Sequence, residues 1–459
     1  MNYSTILKSQ LEEPSHRLDA EYYQPQYLEV VEQIKNVPHT TLESISSSLR
    51  SFGAYALTNQ IVWKESGIPF ITAENVKEGL IDYTSQRYID ADVDRILSKS
   101  RVYENEVLLS MSGKVGDAAI AINIPNQLNS NQDIVKIKLK SDFSPYLLTV
   151  FLNCKYGKLQ VLRLPVGSVQ QHIFLWQTKS LLIPKFSNEI TLKVEKLYKK
   201  SLDQHEQGSL LYAQAENILL DTLGLKEFNP KNINSCIVNL SDVQSVNRLD
   251  ADYFQPKYAE LINQLTKFNL TPLTKVINNV TAKFNPLAHP DQQFRYVELA
   301  DIDSTIGIIN HCSEITGKEA PSRAKRLLKE GDVIVSSIEG SLNKTALVEK
   351  QYDGSLASTG FFQLRSSKFL PEVILIMAKS IILQMQLTRE CAGTILTAVP
   401  KESLNRILVP EIKIGVQKQI ASLVQESHLA RQKSKELLEQ AKKTVEDMIE
   451  KGTLLEETL

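Results

Sequence analysis

The chain contains two copies of one plan, and that duplication limits its fold more than any other feature. The stretch RLDAEYYQPQY at residues 17–27 returns as RLDADYFQPKY at residues 248–258, identical at eight of eleven positions and 231 residues downstream. The three exchanges are Glu/Asp, Tyr/Phe and Gln/Lys, so the match marks an internal repeat. Further correspondences run at an offset of 226: VLLSMSG (107–113) with VIVSSIE (333–339), GSV (167–169) with GTI (393–395), and LIP (182–184) with LVP (408–410). The change of offset gives the first repeat about five extra residues between Tyr27 and Phe70. They are expected in the loop around Ser46–Lys64, because loops absorb length change most easily.

Each repeat has the same order of elements. Pro25 and Pro256 stand where a first-turn proline opens a helix, since its missing N–H is spare there. Apolar residues follow at helical spacing: Leu28, Val31 and Ile34 in one, Leu261, Ile262 and Leu265 in the other. Strand-like runs come next, at Ile68–Thr72, Val107–Met111, Ala118–Ile122 and Ile134–Leu139. Their partners are Arg295–Leu299, Val333–Ile338, Thr345–Val348 and Phe361–Leu364. A helix-like apolar stretch then occupies Tyr146–Leu164 or Glu372–Leu387. The expected class is α+β, a tandem duplication of a mixed domain.

A long, charged, proline-free segment closes each repeat. Alternate steps of four and three pass through Ile190, Val194, Leu197, Ser201, Gln204, Gly208, Leu211, Ala215, Ile218 and Thr222. The same walk moved by 226 passes through Val416, Ile420, Leu423, Ser427, Ala430, Ser434, Leu437, Ala441, Thr444 and Met448. Both seams are apolar at the ends and small or polar in the middle, which predicts two helices pairing antiparallel as a coiled coil with pseudo-two-fold symmetry. Gly208 costs its helix roughly 1 kcal/mol relative to alanine, and with Ala430 and Ser434 it would let two backbones approach. Alternatively, each helix merely covers its own domain. The expected divisions are 1–185 (first domain), 186–225 (first helix), 226–411 (second domain) and 412–459 (second helix).

Composition sets outer limits. With 42% hydrophobic and 23% charged residues the chain is of the globular class. The N-terminal sequence lacks a basic stretch followed by an apolar run, so no signal peptide is expected. The most apolar segment, Val373–Met385, is shorter than a bilayer span and broken by Lys379; it reads as a buried helix. Four dispersed cysteines form no C-x-x-C pair, which suits reduced thiols in a cytoplasm and gives no metal-site spacing. A net charge of −1 is unusual for a free-standing DNA binder, which usually carries a basic excess.

No catalytic signature emerges. The chain has no Asn-Pro-Pro or Asp-Pro-Pro tetrad of an amino-methyltransferase, no G-x-G-x-x-G opening a βα unit and no phosphate-binding loop around Gly113 and Lys114. Pro290 and Asp291 lack the downstream Glu-x-Lys of a nuclease, and the seven histidines do not cluster. The chain is expected not to be an enzyme by itself.

The order of parts resembles the specificity (S) subunits of type I restriction-modification systems: an RLDAxYxQP lead-in, a mixed domain ending in a glycine and a hydrophobic-Pro tail, a heptad helix, then all of it again. The resemblance covers nearly the whole chain. It implies two target-recognition domains, each reading one half of a bipartite double-stranded DNA sequence, separated by paired helices that set the unspecified spacer. It also implies docking of two methyltransferase (M) subunits, and motor-nuclease (R) subunits in the restricting form. No cofactor is expected in this chain; S-adenosylmethionine, ATP and Mg2+ belong to those partners, and no membrane is involved. A seam of about 33 residues would be roughly 50 Å long at 1.5 Å per residue, longer than a turn of B-DNA at about 34 Å.

Candidate DNA-contacting residues sit between the strand-like runs. They are Ser112 and Lys114 after the first conserved strand, with Asn343 and Lys344 at the corresponding turn of repeat two. Arg50, Ser51, Tyr55 and Asn59 lie in the loop that carries the insertion, and Gln170, Gln171 and His172 follow Gly167. Glutamine can pair bidentately with adenine, while a lysine can serve a phosphate or a guanine edge. SGKVGD (112–117) stands against IEGSLN (338–343), so the domains diverge where the helices do not, which predicts an asymmetric target. Tyr22, Tyr23, Tyr253 and Phe254 read as core, and Arg17 and Arg248 as ion-pair anchors to the aspartates two residues on. Two other readings stay open: a duplicated coiled-coil scaffold that touches no nucleic acid, and an orphan specificity protein serving another phage-defence methylase.

Overall fold

The structure is a computed structural model that describes residues 4–8, 11, 17–52, 61–166, 172–230, 233, 235–393 and 397–452. The chain divides into two compact units, Met1–Gln204 with Lys433–Leu459, and His205–Gln432. Both are α+β and share one plan.

In the first unit, Ala20–Tyr23 forms a 3-10 turn and Pro25–Lys35 a helix with proline in its first turn. Its inward stripe is Val30 and Ile34, with Leu28 and Val31 half-buried, so the stripe lies slightly off the expected one. An antiparallel sheet follows in the order Ser46–Arg50, Ile134–Leu139, Val107–Ser110, Ala118–Ile120. A second sheet has the order Arg87–Ile89, Ile68–Ile71, Asn129–Ser130, with Ile68–Ile71 and Asn129–Ser130 parallel. His39–Thr41 pairs with Leu182–Pro184, which ties the start of the domain to its end.

The second unit repeats this order. Asn278–Asn279, Phe361–Arg365, Val333–Ser336 and Thr345–Leu347 make the equivalent sheet, which Ile308–Ile309 and Ile302–Asp303 extend to six strands. Its partner sheet has the order Ser313–Thr316, Gln293–Val297, Leu356–Ser358, Ala324–Leu327, and Leu270–Pro272 closes on Leu408–Pro410. The strand expected at Arg295–Leu299 ends at Val297, because Leu299–Asp301 turns into a 3-10 helix. Elements correspond at an offset of 231 through Leu42–Ile45 and Leu273–Val276 and at 226 from Ala73–Asn75 and Leu299–Asp301, apart from Asn129–Ser130 and Ile134–Leu139, whose strand register matches Leu356–Ser358 and Phe361–Arg365 at 227. That brackets the length difference to the sequence between those elements.

Both helix-like apolar stretches are broken in two, into Pro145–Asn153 and Lys155–Leu162, and into Pro371–Lys379 and Ile381–Glu390. Cys154 and Ser380 leave helical geometry at the breaks (ψ 168° and 165°), and the second pair bends by 61°. The Ser380 hydroxyl caps the following helix at Ile382 N. Gly157 has no room for a side chain, since a Cβ there would lie 2.1 Å from the Phe151 carbonyl. Val373–Ala378 is wholly buried, and among the described residues no single helix is long and apolar enough to cross a membrane.

A buried carboxylate anchors the main sheet of each unit. Glu106 accepts Tyr103 N (3.0 Å) and pairs with Arg50, while at the equivalent place Asp332 accepts Lys329 N (2.9 Å) and pairs with Arg365 at 2.6 Å. Beside Glu106, burial and the Arg50 charge pull Lys136 down to about 7; its ammonium nitrogen lies 2.7 Å from Ser130 Oγ. Gln363, at the matching position on the second sheet, donates to Asp332 instead (2.7 Å).

The long helices span Asn188–Thr222 and Ile414–Lys451. In the first unit Ser201 and Ser434 exchange hydrogen bonds, each hydroxyl donating to the other's carbonyl at 2.7 Å. Val194 and Tyr198 there share a core with Ala441, Val445 and Ile449, so the helices run antiparallel. In the second unit Ser427 Oγ donates to Gly208 O at 2.6 Å, and Tyr212, Ala215 and Leu219 share a core with Ile420 and Val424. Along the seam Val194, Gly208, Ile420, Ser434 and Leu437 are buried, and Ile190, Leu197, Leu211, Ile218, Val416, Leu423 and Met448 half-buried. A Cβ on Gly208 would lie 3.0 Å from the Ser427 carbonyl oxygen. Gly208→Leu should therefore push the backbones apart, lose the Ser427 bond and destabilise by about 2 kcal/mol, read as a lower urea midpoint; an unchanged midpoint would refute close packing here.

Candidate nucleic-acid interface

The turn after each conserved strand is built by local bonds. In the first unit Ser110 Oγ donates to Ser112 O (2.8 Å) and Gly116 N to Ser110 O (3.0 Å), and Gly113 takes φ +66°. A side chain pointing outward at the tip costs nothing in packing, and Lys114 is exposed there while Ser112 is half-buried. The corresponding turn of the second unit behaves differently. Asn343 is exposed, but Lys344 Nζ donates to Ile302 O at 2.9 Å and so is committed to the fold.

Beside the Ser112 turn the first unit holds a cleft of about 480 Å³, lined by Ser51, Phe52, Met111, Gln132, His172, Phe174, Leu175, Trp176 and Lys179. Three aromatic side chains stand open at its rim: Phe52 is 41% exposed, Phe174 46% and Trp176 48%. The short helix Leu175–Lys179 positions two of them. Gln177 Oε1 accepts Phe174 N (2.8 Å) and its amide donates to Leu164 O (2.8 Å), so Gln177 turns inward and Trp176 outward. His172 packs edge-on to Phe174, with ring centroids 5.3 Å apart, and its Nδ1 lies 3.8 Å from an Asp133 carboxylate oxygen. Lys99 lies 5.5 Å from the centre of the Phe52 ring, and Lys179 pairs with Glu43 at 2.9 Å. Gln132 contributes a carboxamide whose Oε1 is buried and has no hydrogen-bond partner among the described residues. The set offers flat apolar faces, an amide, an imidazole and ammonium groups, which suits the edge and backbone of a nucleic acid.

Among the sequence candidates, the cleft brings together Ser51 and His172, and Ser112 follows its Met111 wall. Arg50 is a correction. It ends the strand Ser46–Arg50 rather than lying in a loop, and it is held by Glu106 and by the carbonyls of Lys99 and Arg101 (3.1 Å each). Tyr55, Asn59, Gln170 and Gln171 lie outside the described residues. Sequence reasoning missed Phe52, Gln132, Phe174, Trp176 and Lys179. The signal was present in FLW at 174–176, two large aromatics flanking a leucine two residues after His172.

The equivalent place in the second unit carries other chemistry. Its short helix is Lys401–Asn405, where Lys401, Glu402 and Asn405 are exposed in place of Leu175, Trp176 and Lys179. Ala398 and Pro400 replace His172 and Phe174. That unit instead exposes Lys283, Arg323 and Lys325 around its edge strand Ala324–Leu327, beside the stacked rings of Phe284 and His289 at 5.9 Å. Among the described residues, no group of three or more His, Cys, Asp or Glu is placed to hold a metal ion.

No protein-family model matches the sequence, and no curated protein is recognisably similar to it. Several solved structures resemble the chain. The HsdS subunit from Thermoanaerobacter tengcongensis is 31% identical over 34% of this chain, which spans 40% of that subunit's length, with a TM-score of 0.31. The type I restriction-modification S subunit from M. genitalium is 13% identical over 92% of this chain and 98% of its own, with a TM-score of 0.43. A chain from the type I R-M system, solved to explain complex assembly and conformational transition, is 12% identical over 91% and 98%, with a TM-score of 0.29.

Removing Arg50 tests its assignment to the scaffold. Arg50→Ala strands the buried Glu106 carboxylate and should destabilise the protein by about 3 kcal/mol, visible as a lower denaturant midpoint. Any DNA sequence preference of the folded variant should stay as in the wild type; an altered preference with unchanged stability would make Arg50 a reader.

Proposed function

We propose that this chain is the DNA-specificity subunit of a type I restriction-modification system. Each unit reads one half of an asymmetric, interrupted target, and the chain contributes no catalysis of its own. The observation that carries the reading is selective divergence within a duplication. The scaffold repeats element by element, while the short helix changes from half-buried Leu175, exposed Trp176 and half-buried Lys179 to exposed Lys401, Glu402 and Asn405. Two identical readers would call for a palindrome, whereas two different ones call for two different half-sites. Phe52, Phe174 and Trp176 leave nearly half of their surface open at the rim, and apolar faces of this kind pack on thymine methyl groups while neighbouring amide and ammonium groups take base edges and phosphates.

In this reading the paired helices set the spacer, and two adenine methyltransferase subunits dock on the chain and bring S-adenosylmethionine. Motor-nuclease subunits with ATP and Mg2+ complete the restricting form in the cytoplasm. A near-neutral chain then suffices, because the partners share the grip on phosphate.

Mapping N6-methyladenine across the host genome, with this gene intact and deleted, tests the proposal. One asymmetric, interrupted motif should disappear on deletion; an identical methylation pattern in an actively methylating host would sink it. In the same assay Trp176→Ala should relax or change one half-site and leave the other as it was. A change in both halves would refute independent reading by the two units.

A further inference from the structure

Arg50, Arg101 and Arg365 each hold a buried carboxylate, that of Glu106, Asp94 and Asp332 respectively. Arg326 is more deeply buried than any of them, at 7% exposed, and holds none. It points inward from the edge strand Ala324–Leu327 of the second unit. Its Nη1 donates to Val280 O at 2.7 Å, its Nε is buried with no hydrogen-bond partner, and among the described residues no acid pairs with it. Burial pulls its pKa down to about 10, so the guanidinium still carries its charge at neutral pH. An enclosed cation without a counter-charge works against the fold that contains it.

The tie to Val280 does not call for that charge. At the equivalent place in the first unit Ser100, also buried, donates its hydroxyl to the Phe52 carbonyl, on the segment that leaves the strand Ser46–Arg50 as Val280 leaves Asn278–Asn279. A neutral side chain thus closes the same contact. Three further cations surround Arg326 at the surface. Arg323 and Lys325 stand on either side of Ala324 on its own strand. Lys283 lies on the segment beyond Val280, which Phe284 N ties to Lys325 O at 3.1 Å. All three are exposed, and among the described residues none is paired with a carboxylate. Leu97 and Ser100 stand in the first unit where Arg323 and Arg326 stand here, so this concentration of charge belongs to the second unit.

We propose that Arg326, with Lys283, Arg323 and Lys325, forms an anion site that takes a phosphate group of the DNA backbone and seats the second unit on its half-site without reading a base. The anion chemistry rests on the site; its assignment to DNA rests on the function proposed above. A guanidinium meets phosphate oxygens in a planar fork and is more weakly hydrated than an ammonium, which suits the enclosed position. Phosphate contacts fix the register of a domain on the duplex and carry no sequence information of their own. The bound phosphate would supply the counter-charge that Arg326 lacks.

The test uses the full chain co-expressed with its host's adenine methyltransferase. Its binding to duplexes of the methylated motif and of scrambled sequence is measured over a range of salt concentrations. Arg326→Ser installs the residue that the first unit uses, so the urea midpoint should hold or rise. Binding to both duplexes should weaken about ten-fold. The slope of log K against log salt should become shallower by about 1, and the methylated motif should stay as it was. Lys283→Ser with Arg323→Ser, both at the surface, should make the slope shallower by about 2, which guards against a fold defect in the buried variant. Unchanged slopes in both variants, with wild type binding its motif, would overturn the site and leave the specificity reading intact. A base lost from the motif in Arg326→Ser would make the residue a reader and overturn the phosphate assignment. If millimolar inorganic phosphate stabilises wild type but not Arg326→Ser, while both bind DNA alike, the ligand is a free anion and the DNA assignment falls. A wild-type complex that binds neither duplex would overturn both readings.

Discussion

Close approach of the two long helices is the constraint on which the rest depends. Hydroxyls of Ser201, Ser434 and Ser427 donate to carbonyls on the facing helix, and Gly208 clears the space that this needs. A leucine seam would hold the axes farther apart and could not make these bonds. The approach has a second effect, because each unit's core is completed by residues of both helices: Val194, Tyr198, Ala441, Val445 and Ile449 in one, Ala215, Leu219, Ile420 and Val424 in the other. The first unit is therefore discontinuous in sequence, its core finished by the end of the chain.

Buried scaffold and exposed rim separate cleanly in this molecule. Sheet order, the closing strand pair, the broken apolar helices and the contact of Arg17 with Tyr22 and of Arg248 with Tyr253 recur in both units. The exposed rim does not. Burial explains the difference: Leu109 and Val335 are fully enclosed and changes there create cavities, whereas Trp176 and Glu402 can exchange without disturbing what lies beneath. A duplicated fold of this kind can alter its exposed rim while its stability is held by other residues.

Much of the fold was legible because the duplication supplied two readings of every element. The prolines at 25 and 256 marked helix starts, and the β-branched run Ile134–Leu139 forms a strand with those bounds. Periodicity missed the breaks at Cys154 and Ser380, since both apolar stretches stay hydrophobic through the kink and only backbone geometry reveals it. The small and polar middle of the helix seam pointed to closely approaching backbones rather than a leucine zipper; the structure adds hydroxyls that donate across the interface. The site was less legible. Arg50 and Lys344 looked like free cations and are bound internally, because their partners lie 56 and 42 residues away in sequence. The cleft aromatics Phe52, Phe174 and Trp176 were not singled out in the sequence, because exposure is a property of the folded surface.

The buried carboxylates carry a consequence for how such a chain can be recombined. Glu106 and Asp332 occupy the same place, yet Glu106 takes its arginine from the strand Ser46–Arg50 and Asp332 from Phe361–Arg365, on the opposite side of the sequence. A graft of one strand between the repeats would bring a guanidinium without its vacancy or leave a carboxylate without its cation. Whole domains can be traded, since each carries its own solution to the same electrostatic problem. The order of Glu106 and Arg50, and of Asp332 and Arg365, along the chain therefore sets a lower bound on any exchange through the main sheet: it has to carry both members of the pair.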